Sequence, residues 1–278
     1  MINTEDKIFV KENAHCMTID EMYKHFQTKY DKKMLRNYCT QQNIKFKKMS
    51  AEERRLSIKR RKLSQYKCTP INYDYFKKWS VNMAYIFGLW CADGNIYHND
   101  KNNMWSFSIK LKSEDEYLLQ NILNEMSSEH KIYRKKYGAS EINLSCKTIY
   151  NDIKNLGGIE NKSLRLTFPY VPKEFVSDFI RGYFDGDGWF SNTKCCFQVG
   201  LIGTQDFIQG FLECINFANT QNKIFTVHRE DGAKRYIFSA YKDIFNFLNW
   251  IYKDATIYLD RKYQAYQDFL SNGKNYKK

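Results

Sequence analysis

Ile86-Phe87-Gly88-Leu89-Trp90-Cys91-Ala92-Asp93-Gly94 and Ile180-Arg181-Gly182-Tyr183-Phe184-Asp185-Gly186-Asp187-Gly188 share one pattern: an apolar run, a glycine and a closing Asp-Gly pair. Asp93 and Asp187 stand 94 positions apart, the spacing of one small α/β unit. A run of helix formers that ends in Asp-Gly reads as a helix stopped at its C-terminus by glycine. Gly88 and Gly182 carry no side chain, so two such helices can pack with their backbones unusually close. Both carboxylates then sit at the shared end. Carboxylates at two helix C-termini, where the macrodipole is negative, make a site for divalent cations. The pair is a candidate active site.

The repetition extends beyond the two segments. After the first, Ser106-Phe107-Ser108-Ile109-Lys110-Leu111 alternates as a strand, and Ser113-Glu114-Asp115-Glu116 reads as a capping box opening a helix. Residues 131–134 and 141–144 follow as strands and 147–150 as a helix. After the second, Cys196-Phe197-Gln198-Val199-Gly200-Leu201, then Thr204-Gln205-Asp206-Phe207, then residues 223–226, 235–238 and 242–245 repeat that order. The offsets from 131 to 223 and from 147 to 242 are 92 and 95, close to the 94 between the aspartates. The expected fold is α+β, with two αββαββα units at 79–168 and 169–278 related by an approximate twofold axis.

The charge of the 278-residue chain is uneven. Lys and Arg number 44 against 31 acidic residues, a net of +13, which points to a polyanionic partner, most plausibly nucleic acid. Residues 1–72 hold 17 basic and 8 acidic side chains, against 27 and 23 in the rest. Within 14–48, Thr18 offers an N-cap for a helix with Ile19, Met22, Tyr23 and Phe26 at helical spacing, and a polar break leads into Lys32-Lys33-Met34-Leu35-Arg36-Asn37-Tyr38-Cys39. Two short helices with a basic second member resemble a helix-turn-helix with Lys32, Lys33, Arg36 and Asn37 available to a groove; the alternative is an ordinary two-helix packing unit. This small domain is assigned to residues 1–50. A basic linker follows at 51–78, where Arg60 and Arg61 belong to a run of nine basic and two acidic residues over 45–62. That run either lies along phosphates or is a solvated helix.

Eight cysteines form no C-x-x-C pair and the opening Met1-Ile2-Asn3-Thr4-Glu5-Asp6 is no secretion signal. Reduced thiols in a cytoplasmic protein, bacterial, phage-encoded or organellar, are the expectation, with no membrane partner. The Met1 start and the Asn275-Tyr276-Lys277-Lys278 end argue against an intein origin.

With these motifs in hand, the chain resembles the LAGLIDADG homing endonucleases of the single-chain, two-motif kind, over roughly residues 80–271. The second motif, closing in Phe184-Asp185-Gly186-Asp187-Gly188, is very close to the family form. The first departs at Cys91, where an acidic residue is usual, yet keeps the last acidic position as Asp93. The resemblance implies a monomer with internal pseudo-twofold symmetry that cuts both strands of a specific double-stranded DNA site and leaves short 3′ overhangs. It also implies metal-binding roles for Asp93 and Asp187, and a basic residue near each metal, late in each repeat. Lys162 in Asn161-Lys162-Ser163 and Lys262 in Asp260-Arg261-Lys262-Tyr263 hold those places, with Arg261 competing for the second.

The chemistry can be stated without the family. Phosphodiester hydrolysis needs an activated water, neutralised transition-state charge and stabilisation of the departing 3′ oxygen, all of which divalent ions between close carboxylates supply. Mg²⁺ (or Mn²⁺) suits a site with few protein ligands. Asp93 and Asp187 would be ligands, helped by the carbonyls of Ala92 and Gly186, and a nearby lysine would stabilise developing charge. Lys110, Lys112, Arg134, Lys135, Lys136, His228, Arg229, Lys234 and Arg235 lie in or beside the expected strands and are candidate DNA contacts, with bases and phosphates not yet told apart. His228 could equally be a satisfied surface residue. The competing reading is a non-cleaving nucleic-acid binder on the same scaffold, an intron RNA maturase or a transcription regulator, and intron RNA stays on the list of partners.

Overall fold

The computed structural model describes residues 2–26, 29–56, 58, 69–192, 197–215, 224–226 and 232–272, with backbone alone for 224–226 and 272. Arg60, Arg61, His228 and Arg229 lie outside the described residues, as do Cys196 and Lys223, the expected first residues of two strands. The chain divides into two compact units, residues 1–68 and 69–278.

The described residues of the first unit include three short helices that build its core, α1 (Thr4–Asn13), α2 (Ile19–His25) and α3 (Lys32–Gln41), and further helical residues at 51–56 and 58. Each starts where a side chain accepts from an otherwise orphaned backbone N–H. Asn3 caps α1, Asp31 caps α3, and Thr18 with Glu21 makes a reciprocal box at α2. Val10, Ala14, Met22, Phe26, Tyr30, Leu35 and Cys39 form the core. The two helices expected over 14–48 are thus joined by α1, whose Val10 completes a core that two helices alone could not close.

In the second unit the first repeat runs α4 (Val81–Asp93), β1 (Gly94–Asn99), β2 (Met104–Lys112), α5 (Glu116–Glu125), β3 (Ile132–Lys135), β4 (Ala139–Leu144) and α6 (Lys147–Asn155). The second runs α7 (Val176–Asp187), β5 (Gly188–Asn192), β6 (Phe197–Gly203), α8 (Gln205–Cys214), β7 (Ile224–Thr226), β8 (Lys234–Phe238) and α9 (Tyr241–Tyr252), and is followed by α10 (Asp260–Asn272). The sheets are antiparallel with matching orders, β1-β2-β4-β3 and β5-β6-β8-β7. The expected α+β fold of two αββαββα units is therefore observed. Residues 69–78, grouped above with the linker, instead pack on this unit: Ile71 and Phe76 join its core, and the Phe76 ring lies 5.6 Å from that of Phe107.

Helices α4 and α7 run together through the centre, which is why every residue of α4 from Met83 to Cys91 is buried. Glycine permits this contact. A Cβ on Gly88 would lie 2.0 Å from the Phe179 carbonyl oxygen, and one on Gly182 1.9 Å from that of Tyr85. As expected, α4 and α7 end at Asp93 and Asp187 with Gly94 and Gly188 as their C-caps; Gly94 (φ −94°, ψ 168°) and Gly188 (φ −82°, ψ 163°) are extended and begin strands. They are needed for space, since a Cβ at Gly94 would meet the Trp90 ring at 2.1 Å and one at Gly188 the Phe184 ring at 2.2 Å. One detail of the sequence reading is corrected: the Ser113–Glu116 box does not form. Glu116 is drawn away by Arg134 at 2.8 Å and by the Ser140 hydroxyl at 2.7 Å.

Because the atoms facing Gly88 and Gly182 are backbone, no rotamer change can relieve a clash there. Gly88→Ala and Gly182→Ala should each destabilise the protein by about 3 kcal/mol, the upper end of ordinary overpacking. Gly138→Ala, at a turn with φ +70° and open space around it, should cost only about 1 kcal/mol. Urea denaturation checks the order; equal losses at the three positions would mean the helix backbones do not touch.

Candidate active site

The helical contact brings the two motif aspartates together. A Cβ on Gly186 would lie 2.9 Å from the Asp93 Oδ2 and 2.3 Å from the Ala92 Cβ, so the Asp93 carboxylate rests against the last turn of α7. Both residues keep exposed surface, but their carboxyl groups sit amid enough protein for lost hydration to dominate their titration. Desolvation, then repulsion from Asp187, raises Asp93 to about 6, against the pull of Lys162, Lys262 and Arg261. Asp187 is raised too, again chiefly by desolvation, with Lys162, Lys262 and the Tyr183 hydroxyl opposing.

Lys162 and Lys262 converge on the same ends. Lys162 Nζ donates to the Ala92 carbonyl at 2.6 Å, and Lys262 Nζ donates to the carbonyls of Phe184 and, at 2.7 Å, Gly188. Each ammonium also lies over the ring three residues before its motif aspartate, Lys162 at 5.9 Å from the Trp90 centroid and Lys262 at 5.0 Å from that of Phe184. The two lysines thus occupy the carbonyl ends of α4 and α7, where cations are stabilised. Desolvation lowers both, Lys262 to about 8. Arg261, the competitor, points elsewhere, with Nε 3.2 Å from Asp115. The Ala92 carbonyl, expected to help hold a cation, accepts from the Lys162 ammonium.

The donor set fits a hard cation with few protein ligands. Among the described residues no group of three or more His, Cys, Asp or Glu side chains clusters as a metal site. Asp93 and Asp187 would be the side-chain ligands, with water and phosphate oxygens completing the shell in the manner Mg²⁺ prefers. The two carboxylates repel one another, and a dication between them would relieve that repulsion.

One group escaped the sequence reading. Asp185, 1% exposed, accepts from the Tyr85 hydroxyl at 2.7 Å, the Tyr252 hydroxyl at 2.5 Å and the Leu259 backbone N–H at 2.7 Å. The signal was an acid within a helix that the pattern required to be buried.

The outlying basic residues separate by face. In β2, Phe107, Ile109 and Leu111 point into the core and Lys110 and Lys112 are exposed. Register places Lys110 opposite Glu141, and both Lys112 and Lys135 opposite Ala139, so the three lysines share the outer face. Lys136 is exposed in the turn after β3. Arg134 faces the other way and is held by Glu116 on the helix side. In the second sheet Arg235 lies on the outer face, its guanidinium 5.5 Å from the Trp189 centroid, whereas Lys234 takes the register of Tyr236. In the first unit Lys33, Arg36 and Asn37 are exposed on α3. Lys32 pairs with Asp20 at 2.5 Å and covers the Tyr23 ring, as Lys135 pairs with Glu141 at 2.8 Å and Lys112 with Glu114 at 3.6 Å on the outer sheet face; such exposed pairs are weak and exchange readily for a phosphate.

A carboxyl with a higher pKa in the folded than in the unfolded chain holds its proton preferentially in the native state, so stability falls as pH rises between the two values. For Asp93 that window runs from about 4, the usual carboxylate value, to about 6. In EDTA, the melting temperature of the wild type should therefore fall more between pH 4 and pH 6 than that of Asp93→Asn. Added Mg²⁺ should reverse the difference above pH 6. Identical profiles for the two proteins would refute the coupling.

No family model matches the chain. The uncharacterized protein MJ0398 of Methanocaldococcus jannaschii is 24% identical over 149 residues, 51% of each protein, so the chain matches about half the length of this curated relative. Among solved structures, the LAGLIDADG meganuclease I-CpaMI bound to uncleaved DNA is similar at a TM-score of 0.51 and 13% identity, over 71% of this chain and 93% of that one. A double mutant of I-SmaMI gives a TM-score of 0.51 at 12% identity, over 70% and 90% of the two chains. At such identity the likeness concerns the fold. This chain has the fold of the single-chain, two-motif LAGLIDADG homing endonucleases.

Proposed function

We propose that the chain is a site-specific DNA endonuclease that hydrolyses one phosphodiester on each strand at the joined ends of α4 and α7, using Mg²⁺ or Mn²⁺ and leaving short 3′ overhangs. The supporting observation is the meeting of Asp93 with the end of α7, with a lysine from each repeat beside it. Asp93 and Asp187 would hold the metal, which when bound lowers the pKa of a water and neutralises phosphate charge. The water oxygen bonds to phosphorus as the bond to the 3′ oxygen breaks; the water loses a proton to solvent, and the departing 3′ oxygen takes one from solvent, leaving a 3′ hydroxyl and a 5′ phosphate. Lys162 and Lys262, held at the helix ends, would offset the negative charge that grows on the phosphoryl oxygens. One chain supplies both halves of the site, so a monomer suffices.

The outer sheet face bearing Lys110, Lys112, Lys135 and Arg235 would lie against DNA, reading bases and holding phosphates. The first unit would add a second contact through Lys33, Arg36 and Asn37 of α3, in the manner of a helix-turn-helix. An intron-borne or phage-borne origin, with homing into an interrupted gene, agrees with this reading, and the joined flanks of such a gene would supply the target.

A plasmid carrying that target should be linearised in Mg²⁺ and left intact in EDTA. Asp93→Asn and Asp187→Asn should each lower the rate at least about 100-fold, the scale of losing one electrostatic stabiliser, while DNA binding persists. Undiminished cutting by either variant would overturn the mechanism, and tight binding to target DNA or intron RNA with no cleavage would favour the maturase or regulator reading.

Lys33→Ala and Arg36→Ala each delete one expected phosphate or base contact. Each should weaken binding and reduce the slope of log K against log salt by up to about 1, with the cutting rate at saturating protein unchanged. Wild-type affinity and slope in both variants would remove α3 from the interface.

A further inference from the structure

The two lysines are delivered to the helix ends by different devices. Lys262 lies in the first turn of α10, and the segment leading into that helix is fastened from beneath by α7. Asp185 accepts the Leu259 N–H at 2.7 Å, while Arg181 donates to the carbonyls of Ile251 at 2.9 Å and Ile257 at 3.0 Å. Tyr117 accepts the Asp260 N–H and Asp115 holds Arg261. The Lys262 N–H closes the turn on the Leu259 carbonyl at 2.9 Å. Asp185 therefore grips the residue on which the Lys262 turn is built. Tyr85 from α4 and Tyr252 from α9 hold its carboxylate in place.

In the first repeat the Tyr150 hydroxyl of α6 holds Glu160, two residues before Lys162, at 2.5 Å, and among the described residues no side chain of α4 accepts from the backbone of the Lys162 turn. Ninety-four positions before Asp185 stands Cys91, which is 3% exposed. A neutral thiol is a weak acceptor and cannot take three strong hydrogen bonds. Lys162 sits instead in a loop turn, its carbonyl accepting from Arg165 and Leu166. Asn161 (φ 51°) and Leu164 (φ 66°) flank it in the left-handed region, which is costly for a leucine.

We propose that Asp185 is a positioning residue that acts through Lys262, and that Cys91 in the matching place leaves the two half-sites unequal, so that Asp185 governs cleavage of one strand only. The proposal rests on reading the chain as a double-strand endonuclease. Two equivalent half-sites would make both strands sensitive to either buried anchor; here a single strand depends on a carboxylate that touches neither DNA nor metal.

The experiment is a supercoiled plasmid assay with each target strand end-labelled separately, using the full chain in Mg²⁺. Asp185→Asn should slow one strand at least 10-fold more than the other, so that nicked circles accumulate, with DNA affinity close to wild type. Lys262→Ala should slow the same strand, and the double variant Asp185→Asn/Lys262→Ala should be no slower on it than Lys262→Ala alone. Tyr252→Phe, which removes one donor to Asp185 and keeps the ring, should bias the same strand more weakly; it serves if Asp185→Asn does not fold. Equal slowing of both strands, or an additive double variant, overturns the proposal. If the wild type itself cuts neither strand, the endonuclease reading has failed instead.

Discussion

Contact between two helix backbones is the constraint on which the rest of this molecule depends. Side chains normally hold packed helices 8–10 Å apart; at Gly88 and Gly182 there is none, and the carbonyls of Phe179 and Tyr85 occupy the space a Cβ would need. Two consequences follow from that one contact. The C-termini of α4 and α7 end at the same point, so two carboxylates separated by 94 residues become neighbours. Strands β1 and β5 then leave directly from Gly94 and Gly188, which fixes where each sheet begins relative to the site.

Negative charge accumulates at this junction from two sources, the aspartates and the carbonyl ends of two helices. Left alone, it would oppose folding, and the raised pKa of Asp93 reflects lost hydration first and repulsion from Asp187 second. Lys162 and Lys262 partly offset it by donating to the carbonyls of Ala92, Phe184 and Gly188. The arrangement therefore explains itself on stability grounds as far as the lysines go. The carboxylates are only partly relieved, by the charges of Lys162 and Lys262 on both, by Arg261 on Asp93 and by the Tyr183 hydroxyl on Asp187; a dication between them would relieve the remaining repulsion.

The legibility of the fold came from repetition. Offsets of 92, 94 and 95 between like segments gave element order for both repeats, and the strand orders agree with it. The helix at 4–13 was not legible, because its polar sequence carries no clear apolar stripe; only Val10 is buried. The capping box at Ser113 failed for a tertiary reason, as Arg134 and Ser140 compete for Glu116. Arg134, Lys32 and Lys135 were read as open to nucleic acid from their charge, yet each has an acidic partner on a neighbouring element. Charge in a sequence states what a residue can attract; only packing states what it has already found.

What the chain's residues determined unaided was the pairing of Asp93 with Asp187 and the αββαββα repeat, both from periodicity and spacing, which local chemistry enforces along the chain; the candidacy of Lys162 and Lys262 came from the resemblance to the LAGLIDADG family. What the tertiary structure alone decided was that Lys262, not Arg261, enters the site, that Gly94 and Gly188 are extended and needed for space, and that Asp185 is a buried anchor with no equal at Cys91. These depend on which atoms from remote segments come within a few ångströms, and hydrogen bonding and exclusion at that range leave no trace in a one-dimensional pattern.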